Sequence, residues 1–276
     1  MIAGIVGLGL IGGSFAKAYK AAGHTVLALE KDSSVFGFAK LSGAVDDKLT
    51  DENIARCDII LVCVYPAAAV EFLKTKGSLI NQKTIVIDCC GTKRIIVSEG
   101  FKAAKKYNFT YVGGHPMAGT HNSGFKYAKE NLFYRAPMVI VPPTFDDIEL
   151  YEKIKELLSP AKFGTITVTT AEKHDEMIAF TSQLAHVVSS AYIKSPTATA
   201  HKGFSAGSYK DMTRVAWLNP EMWAELFLDN KDYLVNEIDI IIKNLEDYKS
   251  AIEKGDRETL IKLLDDGRKL KEKVDG

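Results

Sequence analysis

Six short runs in the first half of the chain are almost continuously apolar: IAGIVG from Ile2, TVLALE from Thr25, DIILVCV from Asp58, TIVIDCC from Thr84, YVGGHP from Tyr111 and PMVIVP from Pro137. None alternates between apolar and polar positions, so none has a wet face. Each reads as a central strand covered on both sides. The stretches between them are long enough for crossover helices. Strands alternating with helices over a buried sheet predict an open parallel sheet. A helix near Asp146–Leu158 and a strand at Gly164–Thr169 are expected to complete this unit.

At Ala171 the period changes. Met177, Phe180, Leu184, Val187 and Ala191 recur at three- and four-residue steps, the spacing of one helix face. Ile238, Ile241, Ile242, Leu245 and Ile252 mark a second face, and Asp256 is placed to cap a last helix carrying Leu260, Leu263 and Leu264. No strand pattern follows. The fold class is therefore α/β: a Rossmann-type dinucleotide-binding domain over 1–170, then an all-helical domain over 171–276. Such apolar helix faces need a partner, and a helical unit of about a hundred residues is small for covering them itself. A homodimer through the helical domain is the expected arrangement.

The first βα turn carries chemistry. Gly7-Leu8-Gly9-Leu10-Ile11-Gly12 follows a strand and opens a helix, the context that a G-x-G-x-x-G motif requires. Gly7 allows the tight turn, Gly9 the approach of a pyrophosphate to the backbone, and Gly12 close packing of helix on strand. Leu10 and Ile11 begin the helix, whose free N–H groups and dipole favour an anion. Glu30 ends the second strand roughly 20 residues past the turn, where an acid accepts the adenosine ribose hydroxyls. A carboxylate there repels a 2′-phosphate, which favours NAD; Lys31 beside it keeps NADP possible.

Composition narrows the partner. Lys and Arg number 35 and Asp and Glu 35, so the net charge is zero and no global field draws nucleic acid or an anionic membrane. No run reaches the ~18 apolar residues of a membrane helix. The N-terminus lacks the basic region of a signal peptide, so a soluble cytoplasmic protein is expected. Cys57, Cys63, Cys89 and Cys90 form no C-x-x-C pair and read as free thiols in a reducing compartment, with no metal site. The partner expected is a small molecule.

Tyr111–Gly124, YVGGHPMAGTHNSG, follows a late strand, and ligands bind at the carboxyl ends of strands in such sheets. Its glycines make room, Pro116 fixes the turn, and His115 is held at the crevice. An imidazole titrating near ~6.5 is suited to take a proton from an alcohol as hydride leaves.

GLGLIGGS, DCCGTK, GGHPMAGT, TSQLAH and KDMTRVA, in that order, resemble the prephenate and arogenate dehydrogenases of tyrosine biosynthesis. The resemblance implies oxidation of a cyclohexadienol carrying a ring carboxylate, with hydride passing to NAD(P)+ and loss of carbon dioxide. It implies an intertwined helical dimerisation domain. It makes His115 the base at the C4 hydroxyl, Arg214 the ligand of the ring carboxylate and His186 a second active-site histidine. A guanidinium fork suits a carboxylate. His186 and Gln183, one turn apart, are expected to face an interdomain cleft.

Three positions depart from the family pattern. Gly91 stands where a serine is common, leaving Thr92 as the nearby hydroxyl. Gln183 replaces a histidine. His121 stands where an acid is common, which unsettles any ion pair with Asp211. Two rival readings remain: a β-hydroxyacid or 6-phosphogluconate-type dehydrogenase with Lys173 as acid/base, and a non-catalytic dinucleotide-sensing regulator.

Overall fold

The computed structural model describes residues 1–120 and 122–275. The first unit runs β1 (Ile2–Val6), α1 (Leu10–Ala21), β2 (Thr25–Leu29), α2 (Ser33–Leu41), β3 (Asp47–Lys48), β4 (Ile59–Val62), α3 (Pro66–Lys76), β5 (Ile85–Asp88), α4 (Arg94–Tyr107), β6 (Thr110–Pro116), β7 (Pro137–Val141), α5 (Ile148–Leu158) and β8 (Thr165–Val168). The strands form one eight-stranded sheet in the order β3-β2-β1-β4-β5-β6-β7-β8. β1 and β4 run parallel, but the order of strand addition reverses between them, the switch point at which such sheets bind ligands. Two apolar clusters cover the faces. One sets Phe15, Tyr19 and Phe133 against Ile5 and Leu61; the other sets Phe72, Leu73 and Tyr111 against Ile60 and Val86.

The sheet is not wholly parallel. β6 and β7 pair antiparallel, with His115 opposite Val139. The segment between them carries no crossover helix. It returns over α1 instead, with Phe125 against Gly13, and Lys17 Nζ reaching the Ala128 carbonyl at 2.6 Å. A chain that returns without crossing the sheet must re-enter it antiparallel. The short edge strand β3 has no counterpart in the hydrophobic pattern, because both its residues are charged and exposed.

After β8 the described residues hold only helices: α6 (Ala171–Ile178), α7 (Ala185–Ile193), α8 (Gly207–Thr213), α9 (Pro220–Asp229), α10 (Lys231–Glu253) and α11 (Arg257–Asp275). α6 and α7 are joined end to end by a wide π-type turn over Ala179–Leu184. Asp256 caps α11 by accepting from the Thr259 N–H at 3.0 Å. No described helix is long and apolar enough to cross a membrane.

The apolar face expected to line the interior of the α6–α7 rod is divided. Leu184 is buried, but Met177, Phe180 and Ala191 are exposed. The inward face carries His174, Asp175 and Gln183 instead. On α10, Ile242, Leu245 and Ile252 are likewise exposed. Polar groups point inward here because each finds a hydrogen-bond partner, as described below.

Glycine packing gives a prediction of opposite signs. A Cβ on Gly100 of α4 would lie 2.3 Å from ring atoms of Tyr111, whereas one on Gly37 of α2 meets nothing within 4 Å. Gly37→Ala should raise stability by up to ~1 kcal/mol. Gly100→Ala should lower it by ~1–3 kcal/mol through overpacking. Thermal denaturation of the two variants checks the signs.

Candidate active site

The site is built at the carboxyl ends of β1, β5 and β6. At the end of β1, Gly7 adopts φ +88°, and a side chain there would strike Val64 and the Cys63 carbonyl. A Cβ on Gly12 would sit 1.9 Å from the Gly7 carbonyl oxygen, whereas one on Gly9 would meet nothing within 4 Å. Gly9 thus presents open backbone at the start of α1, where Leu10 and Ile11 begin the first turn. Glu30 closes the turn from the neighbouring strand end. Its Oε2 accepts the Leu8 N–H at 2.7 Å and its Oε1 the Asp32 N–H at 3.0 Å. A carboxylate is therefore clamped beside the glycine turn, and Lys31 is exposed next to it. This cradle fits a dinucleotide: open N–H donors for the pyrophosphate, an acceptor for ribose hydroxyls.

Beneath the crevice lies a buried ionic knot. Lys93 and Asp88, both fully buried, form an ion pair. Asp88 Oδ1 also accepts the Tyr111 hydroxyl at 2.6 Å and the Gly114 N–H at 3.2 Å, and its Oδ2 accepts the Cys90 N–H at 2.9 Å. Lys93 Nζ also donates to the Gly114 carbonyl. Burial next to Asp88 drives the Tyr111 hydroxyl well above its usual range. An ion pair removed from water persists only when its remaining sites are satisfied, as they are here. The knot grips both backbone groups of Gly114 and so sets the residue that follows, His115. Gly113 and Gly114 permit the close approach, since a Cβ on Gly114 would lie 2.4 Å from the Asp88 carbonyl oxygen.

His115 Nδ1 lies 2.8 Å from His174 Nε2, and His174 Nδ1 lies 2.7 Å from Asp175 Oδ1. Asp175 in turn caps α4: Oδ1 accepts the Lys93 N–H at 2.7 Å, and Oδ2 accepts the Arg94 N–H at 2.9 Å and Arg94 Nε at 3.3 Å. Burial, then the neighbouring His174 and Lys93, hold His115 well below the ordinary histidine value. His174 is also lowered by burial, partly offset by Asp175. The Asp175 carboxyl is lowered by these donors despite its burial. Charge across the junction is completed by Arg94, which pairs with Asp232 and pulls that carboxyl down to about 2.

The other expected site residues fall in different places. Thr92 is buried, with its hydroxyl 3.4 Å from Asp229 Oδ2, so it faces the helical domain. Gln183, expected in the cleft, is buried. It donates to the Leu226 carbonyl at 2.9 Å and accepts from Asn230 at 2.8 Å. These bonds make it a strut between α9 and the rod. His186 stacks on Trp223 at 3.8 Å between centroids, and its Nδ1 donates to the Ser182 carbonyl at 2.9 Å. Burial and the nearby Arg214 charge lower it. Arg214 is exposed, with no hydrogen bond or ion pair among the described residues. No hydrogen bond or ring contact among them joins His115 to His186 or Arg214. His174 and His186 stand twelve positions apart on the rod, roughly 18 Å by ordinary helical rise. His121 lies outside the described residues. Lys173 pairs with Glu176 at 2.9 Å on the surface, which gives the lysine-based rival no support.

His174, Asp175 and the Lys93 knot carry no motif of their own in the sequence. The only signal was the adjacent His-Asp pair in TAEKHDEM, facing inward on a helix otherwise rich in charge.

The profile of the prephenate dehydrogenase nucleotide-binding domain matches residues 15–166, and that of the prephenate dehydrogenase dimerization domain residues 170–266. Prephenate dehydrogenase of Bacillus subtilis is 29% identical over 94% of this chain and 72% of its own. Among solved structures, the arogenate dehydrogenase of Synechocystis superposes with a TM-score of 0.81 at 26% identity, covering 99% of both chains. The prephenate dehydrogenase of Aquifex aeolicus, solved with hydroxyphenyl propionate and NAD+, shares the fold at a TM-score of 0.84 and 24% identity over 100% of this chain and 98% of its own.

The histidines generate a pH prediction. His115, His174 and His186 all have folded values below the unfolded ~6.5. Between those values the unfolded chain binds more protons, so stability must fall as pH drops. The melting temperature should decline from pH 7.5 to 5, and His115→Gln should flatten that slope. Calorimetric scans across the range check it. The sheet, the glycine turn, the domain order and both matched profiles agree: this chain belongs to the prephenate dehydrogenase family.

Proposed function

We propose that the protein catalyses the oxidative decarboxylation of prephenate or arogenate with NAD+, using His115 as the base. The observation that carries this reading is His115 itself, an imidazole that burial holds well below its ordinary pKa at the carboxyl end of β6, backed by His174 and Asp175. NAD+ held at the Gly7–Gly12 turn would supply the hydride acceptor. Gly9, Leu10 and Ile11 receive the pyrophosphate on open N–H groups. Glu30 accepts the ribose hydroxyls and disfavours a 2′-phosphate, so NAD is preferred over NADP.

His115 accepts the proton of the ring hydroxyl as C4 loses hydrogen with its electron pair. Its neutral resting state suits that task at physiological pH. Loss of carbon dioxide then leaves an aromatic ring, which makes the overall step favourable. Arg214 holds the ring carboxylate with its free fork, and His186, stacked on Trp223, lies in reach of the Arg214 field. Thr92 serves to join the domains through Asp229.

The working form we infer is a cytoplasmic homodimer. Phe180 in the π-type turn after α6, Val235, Leu245 and Ile252 on α10, and Trp217 before α9 are large exposed apolar groups in the single chain. They form the kind of surface that a second copy covers. The four cysteines are all unpaired, in keeping with a reducing compartment.

A turnover assay with prephenate, arogenate and a panel of hydroxyacids, each with NAD+ and NADP+, tests the reading. Oxidation of either cyclohexadienol with NAD+ is the expected result. Oxidation of hydroxyacids alone, or tight dinucleotide binding without turnover, would overturn it. His115→Asn should lower kcat by ~10²–10⁴-fold while dinucleotide affinity stays unchanged, as isothermal titration would report. Arg214→Ala should mainly raise KM, because it removes a contact already present in the ground state. Steady-state kinetics with kcat and KM resolved decide that case.

A further inference from the structure

We propose that His174 and Asp175 form a positioning pair that fixes His115 as the Nδ1–H tautomer, leaving Nε2 as its proton-accepting atom. The inference rests on the reading of His115 as the base.

The hydrogens of this chain are fixed from Asp175 outward. Asp175 accepts two backbone N–H groups, from Lys93 and Arg94, and the Arg94 Nε–H. All three are obligate donors, and two stand at the N-terminus of α4, where a carboxylate is favoured. Asp175 is therefore an ionised acceptor, and His174 Nδ1, 2.7 Å from its Oδ1, carries the hydrogen. A neutral imidazole protonated at Nδ1 has its lone pair at Nε2. His174 Nε2 lies 2.8 Å from His115 Nδ1, which must be the donor in that contact. The free lone pair of His115 is then at Nε2, on the far side of its ring.

The charged groups around the pair support this order. Lys93 and Arg94 face it from the start of α4, Asp88 from the end of β5 and Asp175 from α6. Burial and Lys93 keep both rings uncharged at rest. When the substrate hydroxyl gives up its proton, the O–H bond breaks as an N–H bond forms at His115 Nε2. The resulting imidazolium already donates through Nδ1 toward a ring held by a carboxylate. The positive charge thus forms where an acceptor chain awaits it, with no reorientation. Asp175 sits on the helical domain and its two backbone donors on the first, so the tautomer of the base depends on the domains being docked.

Two substitutions separate positioning from packing. His174→Asn places an amide near the Nδ1 position and leaves His115 without an acceptor. His174→Gln places an amide oxygen near the Nε2 position and restores one. His174→Asn should lower kcat by about 10²-fold, with KM and dinucleotide Kd within about twofold, and His174→Gln should recover to within about tenfold of the parent. Imidazole 15N spectra of the unsubstituted protein should show His115 unprotonated at Nε2. In His174→Asn the ring should revert toward the Nε2–H form that predominates in unconstrained histidine. An Nε2–H tautomer in the unsubstituted protein, or His174→Asn with kcat within about threefold of it, would overturn the proposal. Correct tautomers in a protein that oxidises no cyclohexadienol would instead refute the proposed reaction and leave the pairing standing.

Discussion

The carboxylate of Asp175 is the point on which the two domains and the site depend. An α-helix begins with backbone N–H groups that have no partner inside the helix. Lys93, at the N-cap of α4, offers these N–H groups no acceptor, because an ammonium only donates. The acceptor comes from the other domain, where Asp175 takes the N–H groups of Lys93 and Arg94. One group thereby ends a helix, docks a domain and orients an imidazole. Removing it would leave buried donors unpaired, a cost of several kcal/mol in general.

That arrangement explains why the α6–α7 rod turns polar groups inward. A buried polar side chain is tolerated when its hydrogen bonds are made. His174 and Asp175 meet the first domain. Gln183 meets Leu226 and Asn230, and Asn230 also donates to the Asp175 carbonyl at 2.8 Å. Met177, Phe180 and Ala191 of the same rod face outward, where the single chain has nothing to cover them. Polar docking inside and apolar exposure outside are two results of one helix rotation.

Much of this was legible in the sequence. The strands, the change of period at Ala171 and the glycine turn follow from local rules, since continuous apolar runs and G-x-G-x-x-G in a βα context have few alternative explanations. The place of His115 at the end of a strand, after two glycines, was legible as well. The antiparallel return of β7 was not legible, because the hydrophobic pattern of a strand buried on both faces carries no direction. Nor was His174, since a polar residue on a charged helix normally faces water. Only a partner distant in sequence, here the start of α4, reverses that expectation.

The family departures become coherent once the contacts are known. A Cβ on Gly91 would lie 3.2–3.3 Å from the methyl carbons of Leu226, so the missing side chain is matched by a leucine pressed against the backbone. The Leu226 carbonyl is the acceptor for Gln183. Thr92, next to Gly91, reaches Asp229, three residues further along the same helix. Gly91, Thr92 and Gln183 all converge on the last turns of α9. They form one local repacking that seats α9 on the β5–α4 connection, and Asn230 links it to Asp175. The chain of contacts that ends at His115 does not pass through a side chain at position 91.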